Sequence, residues 1–419
     1  MPGGDFFKHT IRTVPIRGKT VLLRADYNVP IAKDGTIADD FRIRASIPTI
    51  RALLTYGCKV VIISHLGRPD GKANPVYSLE PVAARVAELL GHSVRFVDRC
   101  VGEKPRMAIK RAPKRTVIVL ENLRFHPEEE ANDEVFAQRL ARDSGAQYFV
   151  QDGFGVVHRA HASTAAITNY LPSIAGLLLE KEYTIITEAM KHPARPLVAV
   201  LGGAKVSDKA PVIEALVQVA DHIVIGGAMA NTFLAHDNMY MGDSMVEPGM
   251  GDVIERIYAA VRAKTGKNTL DDFLILPRDV GIGTSLELTA TRQDVVLPGI
   301  PRGTRSLDIG PESVKRMNEL VRQARTIIWN GTLGYAEIPA FTTGSTALAK
   351  QIAARRELVS IVGGGDTADF VLKHDKQAKG FTHISTGGGA SLELMAGKKL
   401  PGIERLLDAP RKIKYTKSK

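Results

Sequence analysis

The sequence predicts an α/β protein of two doubly wound domains, each built on a parallel sheet. Three observations predict it. Short β-rich runs alternate with helix-like segments almost throughout, the βαβ pattern of sheets covered by helices on both faces. The 419 residues are too many for one ordinary core. Strand-like runs of the first half end in charged residues, whereas four in the second half end in glycine clusters.

In chain order, the first strands are predicted at 21–23, 59–64, 116–120 and 148–151. Helical stretches over 44–54, 81–90 and 132–144 lie between them. After Pro172, residues Leu179, Tyr183, Ile186 and Met190 recur at helical spacing. Glu180 and Glu182 sit early, and Lys191 and His192 late, as the helix dipole favours. Pro193 stops the pattern. This segment reads equally well as a helix joining two domains and as an ordinary domain helix. Further strands are predicted at 196–201, 222–225, 273–276, 326–329, 358–362 and 382–385.

Composition narrows the class. Hydrophobic residues make up 44% and charged residues 24%, as in soluble globular proteins. No run of about 18 apolar residues suggests a membrane span. Residues Met1–Arg12 lack the apolar centre of a secretory signal. Cys58 and Cys100 build no disulfide framework, so a cytoplasmic location is expected. The net charge is +11, of which residues 1–172 carry +7, residues 173–400 none and the tail 401–419 +4. That excess reads as a funnel for a small anion or as a merely basic surface. Nucleic-acid binding lacks a matching fold signature and aromatic–basic interleaving, and is not expected.

The chemistry sits at the strand ends. Arg24-Ala25-Asp26-Tyr27-Asn28, Ser64-His65-Leu66-Gly67-Arg68, Glu121-Asn122-Leu123-Arg124 and His158-Arg159-Ala160-His161 each follow a strand-like run or stand in its place. Ligands of open parallel sheets bind beyond the carboxyl ends of the strands, so these residues are expected to converge. The glycine clusters are Gly202-Gly203-Ala204-Lys205, Gly226-Gly227, Gly363-Gly364-Gly365-Asp366 and Thr386-Gly387-Gly388-Gly389. Glycine lets backbone N–H groups approach an anion, and a following helix points its positive end there. One arginine-lined and one glycine-lined anion site suggest two phosphorylated ligands and transfer between them. Lys205 and Lys209, four apart, share one face if they open a helix. His158 and His161 have no cysteine or acidic partner nearby in sequence, which disfavours a metal pair. The dinucleotide-binding and P-loop fingerprints are both missing.

Eight motifs in order resemble the phosphoglycerate kinase family over nearly the whole chain. They are the four charged motifs, Leu201–Lys209, Trp329-Asn330-Gly331, Gly363–Thr367 and Ser385–Ser391. The resemblance implies two Rossmann-like domains with parallel six-stranded sheets joined by a hinge helix. It implies a 3-phosphoglycerate-binding domain over 1–172, a hinge over 173–192, a nucleotide domain over 193–400 and a tail, 401–419, packed back on the first domain. It also implies phosphoryl transfer between 1,3-bisphosphoglycerate and ADP, giving 3-phosphoglycerate and Mg-ATP, by a cytoplasmic monomer.

By resemblance, His65, Arg68, Arg124 and Arg159 hold 3-phosphoglycerate, Asp26 and Asn28 its hydroxyl end, and Arg42 its reacting carboxylate. Guanidinium forks suit phosphate and carboxylate. Lys205, Lys209 and Arg42 are the catalytic cations. Gly364, Gly365 and Thr367 take the nucleotide phosphates, Gly226 and Gly227 flank the adenine, and Glu337 takes the ribose. Asp366 holds Mg²⁺ or, read alone, caps a helix. Four places stray from the family pattern: Thr332–Glu337, Ser306, Ala228 and Val156-Val157.

Overall fold

A computed structural model describes residues 6–32, 34–266, 270–375 and 379–410. The chain divides into two compact units. One holds Met1–Thr184 and the returning segment from Lys399, the other Ile185–Lys398.

The first unit is built on β1 (Thr20–Arg24), β2 (Lys59–Ile63), β3 (Val94–Val97), β4 (Val117–Leu120), β5 (Tyr148–Gln151) and β6 (Ser173–Ala175). All pair in parallel, in the order β3-β4-β2-β1-β5-β6. Their apolar runs are continuous because both faces are covered. Val21, Leu23, Val60 and Ile62 pack with Ile43, Ile50 and Leu53 of the helix Phe41–Thr55 and Val82 and Val86 of the helix Glu80–Leu90. Leu22, Val61 and Ile63 point the other way, among Ile109, Phe136 and Leu140. The predicted helix over 132–144 runs Glu134–Ser144, entered through Asp133, whose side chain accepts the Phe136 N–H at 2.7 Å. Gly145 ends it in the left-handed conformation. β3 was not anticipated, because Val-Arg-Phe-Val at a half-covered edge lacks the apolar run of the inner strands.

The second unit contains β7 (Leu197–Leu201), β8 (His222–Ile225), β9 (Leu274–Ile275), β10 (Asp279–Gly283), β11 (Gln293–Val296), β12 (Arg305–Ile309), β13 (Thr326–Asn330), β14 (Val359–Gly363) and β15 (His383–Ile384). A parallel sheet has the order β15-β14-β13-β7-β8-β9. β11, β10 and β12 form a separate antiparallel sheet that the βαβ reading did not contain. Its signal is weak in sequence: β10 carries two glycines, and β11 is largely exposed.

The helix after Pro172 spans Leu177–Lys191. Residues 173–175 ahead of it form β6, paired with β5. Beyond Lys399, the short helix Pro401–Glu404 and the residues after it lie on the first unit. Leu407 N–H donates to Ser173 O at 2.9 Å, and His9 N–H to Leu407 O at 2.7 Å. Lys8, only 4% exposed, donates from Nζ to Glu404 O (2.7 Å), Leu406 O (2.9 Å) and Asp408 Oδ1 (2.6 Å). Residues 411–419 of the expected tail lie outside the described residues. No described helix is long and apolar enough to cross a membrane.

The Asp408 carboxylate is solvated, so the two carbonyl bonds carry most of what Lys8 contributes. Lys8→Met is expected to lower unfolding stability by about 2 kcal/mol, in the range of hydrogen bonds from charged donors. Hydrogen exchange should accelerate first over 403–408.

Candidate functional site

β1 ends at Arg24, and the chain leaves the sheet through Ala25, whose N–H donates to Ile63 O at 3.1 Å. Asp26 and Asn28 follow directly. Arg42, in the first turn of the helix Phe41–Thr55, donates from Nη1 to Asp26 Oδ2 (3.1 Å) and to Asn28 O (3.2 Å). Asn28 Oδ1 accepts the Gly67 N–H at 2.9 Å, tying the β1 exit to the β2 exit. Gly67 sits at φ 62°, and a Cβ there would meet the Tyr77 ring at 2.3 Å. Arg124 Nη1 donates to Gly67 O at 2.7 Å, while its Nη2 lies 2.9 Å from Glu130.

His65, just past β2, is buried. Burial and the surrounding guanidinia of Arg24, Arg124 and Arg42 push its pKa well below the usual histidine value. His161 is pushed down to about 4 by burial and by Arg24, Arg124 and Arg159. Arg124 is lowered by burial, partly offset by Glu130, and further lowered by Arg159 and Arg68. These couplings place Arg68 and Arg159 beside Arg124; both are exposed. Arg159 Nε donates to His158 Nε2 at 3.2 Å. Mutually repelling guanidinia are thus held together at the strand exits of a folded sheet.

Asn122 holds this crest in place. Its Nδ2 donates to Leu66 O (2.7 Å) and Tyr77 O (2.9 Å), and its Oδ1 accepts the Leu66 and Arg124 N–H groups. Nothing in the motif Glu121-Asn122-Leu123-Arg124 signals this role for Asn122.

In the second unit, backbones of three strand exits touch. Gly203 N–H donates to Thr332 O (3.0 Å), and Gly227 N–H to Leu333 O (2.9 Å). A Cβ on Gly202 would lie 2.0 Å from Thr332 O, and one on Gly331 2.3 Å from Gly202 O. Gly227, at φ 65°, would meet Gly203 N at 2.6 Å. So Gly226 and Gly227 have a packing reason to be glycine, whatever they bind. Three clusters run straight into helices: Gly227–His236, Gly365–His374 and Gly388–Met395. The fourth does not, since the helix after Gly202-Gly203 begins only at Ala210.

That offset corrects one expectation. Lys205 and Lys209 do not share a helix face. Lys209 is the residue preceding the helix Ala210–Val219 and is buried, whereas Lys205 stands in the exposed loop before it. Lys209 Nζ donates to Asn330 Oδ1 and, at 3.1 Å, to Asn330 O at the end of β13. Burial pulls its pKa down to about 8, against the opposing pull of Asp208 and Asp366. Asn330 is the second residue without an assigned role in the sequence reading. Its Nδ2 is buried without a partner among the described residues, and Cβ atoms built on Gly363 and Gly364 would approach it at 3.0 and 3.4 Å.

The other nucleotide candidates cluster partly. Gly364, at φ 96°, caps the helix Gly365–His374, with exposed Asp366 in its first turn. Thr367 Oγ1 accepts the Gly331 N–H at 2.7 Å, linking the β13 and β14 exits. Glu337 is exposed, in the loop between β13 and the turn at Pro339–Phe341. Ser306, one of the departures, lies on β12, where its N–H donates to Ser244 Oγ at 2.8 Å. Among the described residues no group of three or more His, Cys, Asp or Glu side chains is arranged to hold a metal ion by itself.

Two parallel sheets, one crested with guanidinia and one with glycine turns around a buried lysine, define an α/β protein of two compact units. The phosphoglycerate kinase family model matches residues 11–398, and the chain belongs to that family. It is 46% identical over 406 residues to the phosphoglycerate kinase of Chloroflexus aggregans, covering 96% of this chain and 99% of that one. The phosphoglycerate kinase of Pelotomaculum thermopropionicum is 44% identical over 401 residues, with the same coverage. Among solved structures, phosphoglycerate kinase from Coxiella burnetii superposes with a TM-score of 0.80 at 34% identity, covering 95% of this chain and 98% of that chain.

The crowded exits of the second unit predict a local sensitivity. Gly202→Ala is expected to destabilise by about 2 to 4 kcal/mol, because the obstacle is backbone that cannot rotate away. Urea unfolding monitored through Trp329, at the end of β13, should report it; an unchanged midpoint would contradict the packing account.

Proposed function

We propose that the chain transfers a phosphoryl group reversibly between the acyl phosphate of 1,3-bisphosphoglycerate and ADP, giving 3-phosphoglycerate and ATP. The observation that carries this reading is the guanidinium crest of the first unit, which suits a small ligand with both a phosphate and a carboxylate. Arg68, Arg124, Arg159 and His65 hold the triose phosphate, Asp26 and Asn28 its hydroxyl end, and Arg42 its carboxylate. In the second unit Gly364, Gly365 and Thr367 receive the nucleotide phosphates, Gly226 and Gly227 border the base, and Glu337 takes the ribose.

The attacking carboxylate is already ionised, so no general base is required. The protein's task is in-line positioning and neutralisation of the moving group. Lys209, Lys205 and Arg42 supply that positive charge. Lys209 is the best placed to be orientated, because Asn330 takes two of its donors. Mg²⁺ fits Asp366, an exposed carboxylate beside Lys209, provided phosphate oxygens and water complete its shell. When bound, the ion neutralises nucleotide phosphate charge.

The two ligand sites belong to different units, so transfer requires closure, which also excludes water from the acyl phosphate. We assign the hinge to 173–192, between a triose-phosphate domain over 1–172 and a nucleotide domain over 193–400. The enzyme acts as a cytoplasmic monomer.

Coupled assay of ATP formation from ADP and 1,3-bisphosphoglycerate tests the reading. Arg42→Ala and Lys209→Ala should each lower kcat on the order of hundreds-fold; full activity in both would refute the roles. The free enzyme's Lys209 loses its proton as pH rises through about 8, so kcat/KM for the nucleotide should fall above that pH. Lys209→Arg, which keeps its charge throughout, should remove this alkaline limb. Small-angle scattering should show a smaller radius of gyration with both substrates than with either alone.

A further inference from the structure

Arg24 is a full guanidinium buried at the end of β1, 1% exposed, and the proposed chemistry gives it no task. Its contacts form a chain. Nε donates to Ser163 Oγ at 2.8 Å, and Nη1 to Ala25 O at 2.5 Å. Since Ser163 Oγ accepts from Arg24, its own proton goes to Glu129 Oε1, 2.5 Å away. Glu129 Oε2 accepts the Ser163 N–H at 3.0 Å, and Glu129 Oε1 lies 3.9 Å from Arg24 Nη2. Both Glu129 oxygens thus accept, as an ionised carboxylate does. The buried pair is charge-compensated, which a lone buried guanidinium would not be.

The remaining amino group of Arg24, Nη2, lies 3.3 Å from His65 Nδ1, a long but directed contact. A guanidinium has donors only. His65 Nδ1 must therefore present its lone pair to Arg24, and the imidazole proton must be on Nε2. Asp26 Oδ1, at 4.0 Å from the same nitrogen, is too far to hold a proton there and is engaged with the Asn28 N–H. Arg42, Arg124 and the neutral His161 also face His65, so the charged groups around it are cationic apart from Asp26. Nε2 has no hydrogen-bond partner among the described residues.

We infer that Arg24, anchored through Ser163 to Glu129, is a positioning residue that holds His65 as the neutral imidazole with its proton on Nε2. His65 then meets the triose phosphate as an uncharged donor. The opposite tautomer would aim a lone pair at an anion and repel it. Arg24 thereby sets the sign of this contact without touching the ligand. Because His65 carries no charge, its share of the affinity does not titrate near neutral pH. This rests on the reading of His65 as a substrate residue.

Long-range ¹H–¹⁵N spectra of the histidine rings in the full-length protein test the tautomer without any ligand. His65 is expected to show Nε2–H and to stay neutral through the ordinary histidine range. An Nδ1–H tautomer, or titration near the ordinary value, would overturn the inference. Adding 3-phosphoglycerate should move the Nε2 resonance; if it does not, the substrate role of His65 fails while the tautomer assignment stands. The double variant Arg24→Met/Glu129→Gln removes both buried charges together, and circular dichroism checks its fold. In it, burial and the neighbouring Arg42 and Arg124 remain, but His65 Nδ1 loses its donor, so the two ring tautomers should mix, and KM for 3-phosphoglycerate should rise about tenfold with KM for ATP unchanged. A single Nε2–H tautomer with the KM of the parent would also overturn the inference.

Discussion

Bringing like charges together at the ends of parallel strands is the constraint on which the first unit depends. Arg24, Arg42, Arg68, Arg124 and Arg159 share one crest with Asp26, Glu129 and Glu130 as its acidic members. Their repulsion is sustained by hydrogen bonds and an ion pair that tie the strand exits together. Asn122 pins the β2 and β4 exits, Asn28 links the β1 and β2 exits, and Glu129 compensates Arg24 in the interior. The apolar faces of the sheet supply the stability against which this arrangement is held. The surplus positive charge is what an anion relieves.

The second unit meets the same demand by a different route. There the strand exits come so close that side chains are excluded, and the backbones of Gly202, Gly203, Gly227 and Gly331 contact one another. A single buried ammonium, Lys209, stands among them, fixed by the carbonyl and side chain of Asn330. Amides and helix N-termini carry partial charges that need no counter-ion. Lys209, its pKa lowered by burial, adds an ammonium among them. One unit thus gathers guanidinia, and the other gathers backbone amides around one ammonium.

The departures from the family pattern leave the charged groups themselves unchanged. Ser306 is absorbed into β12, where its backbone bonds to Ser244. Val156 and Val157 are buried in the first unit, and Gly402 packs against Val157 so closely that a Cβ would come within 3.0 Å of its Cα. The changed pair thus belongs to the seat of the returning C-terminal segment.

The sequence by itself determined the alternation of strands and helices, the residues at each parallel strand exit, and the split between a charged and a glycine-rich half. These are local properties: a strand's apolar run and the residue that follows it are contiguous, so period and punctuation reveal them. Only the tertiary structure decided which charges are neutralised and by what. Arg24 reaches Ser163 across 139 residues, and Lys209 reaches Asn330 across 121. It also separated Lys205 from Lys209, because a loop of non-helical residues stands where spacing alone suggests a helix start. The antiparallel sheet of β10 to β12 was invisible for the same reason. Its strands are short, polar or glycine-bearing, and their pairing is fixed by partners distant along the chain.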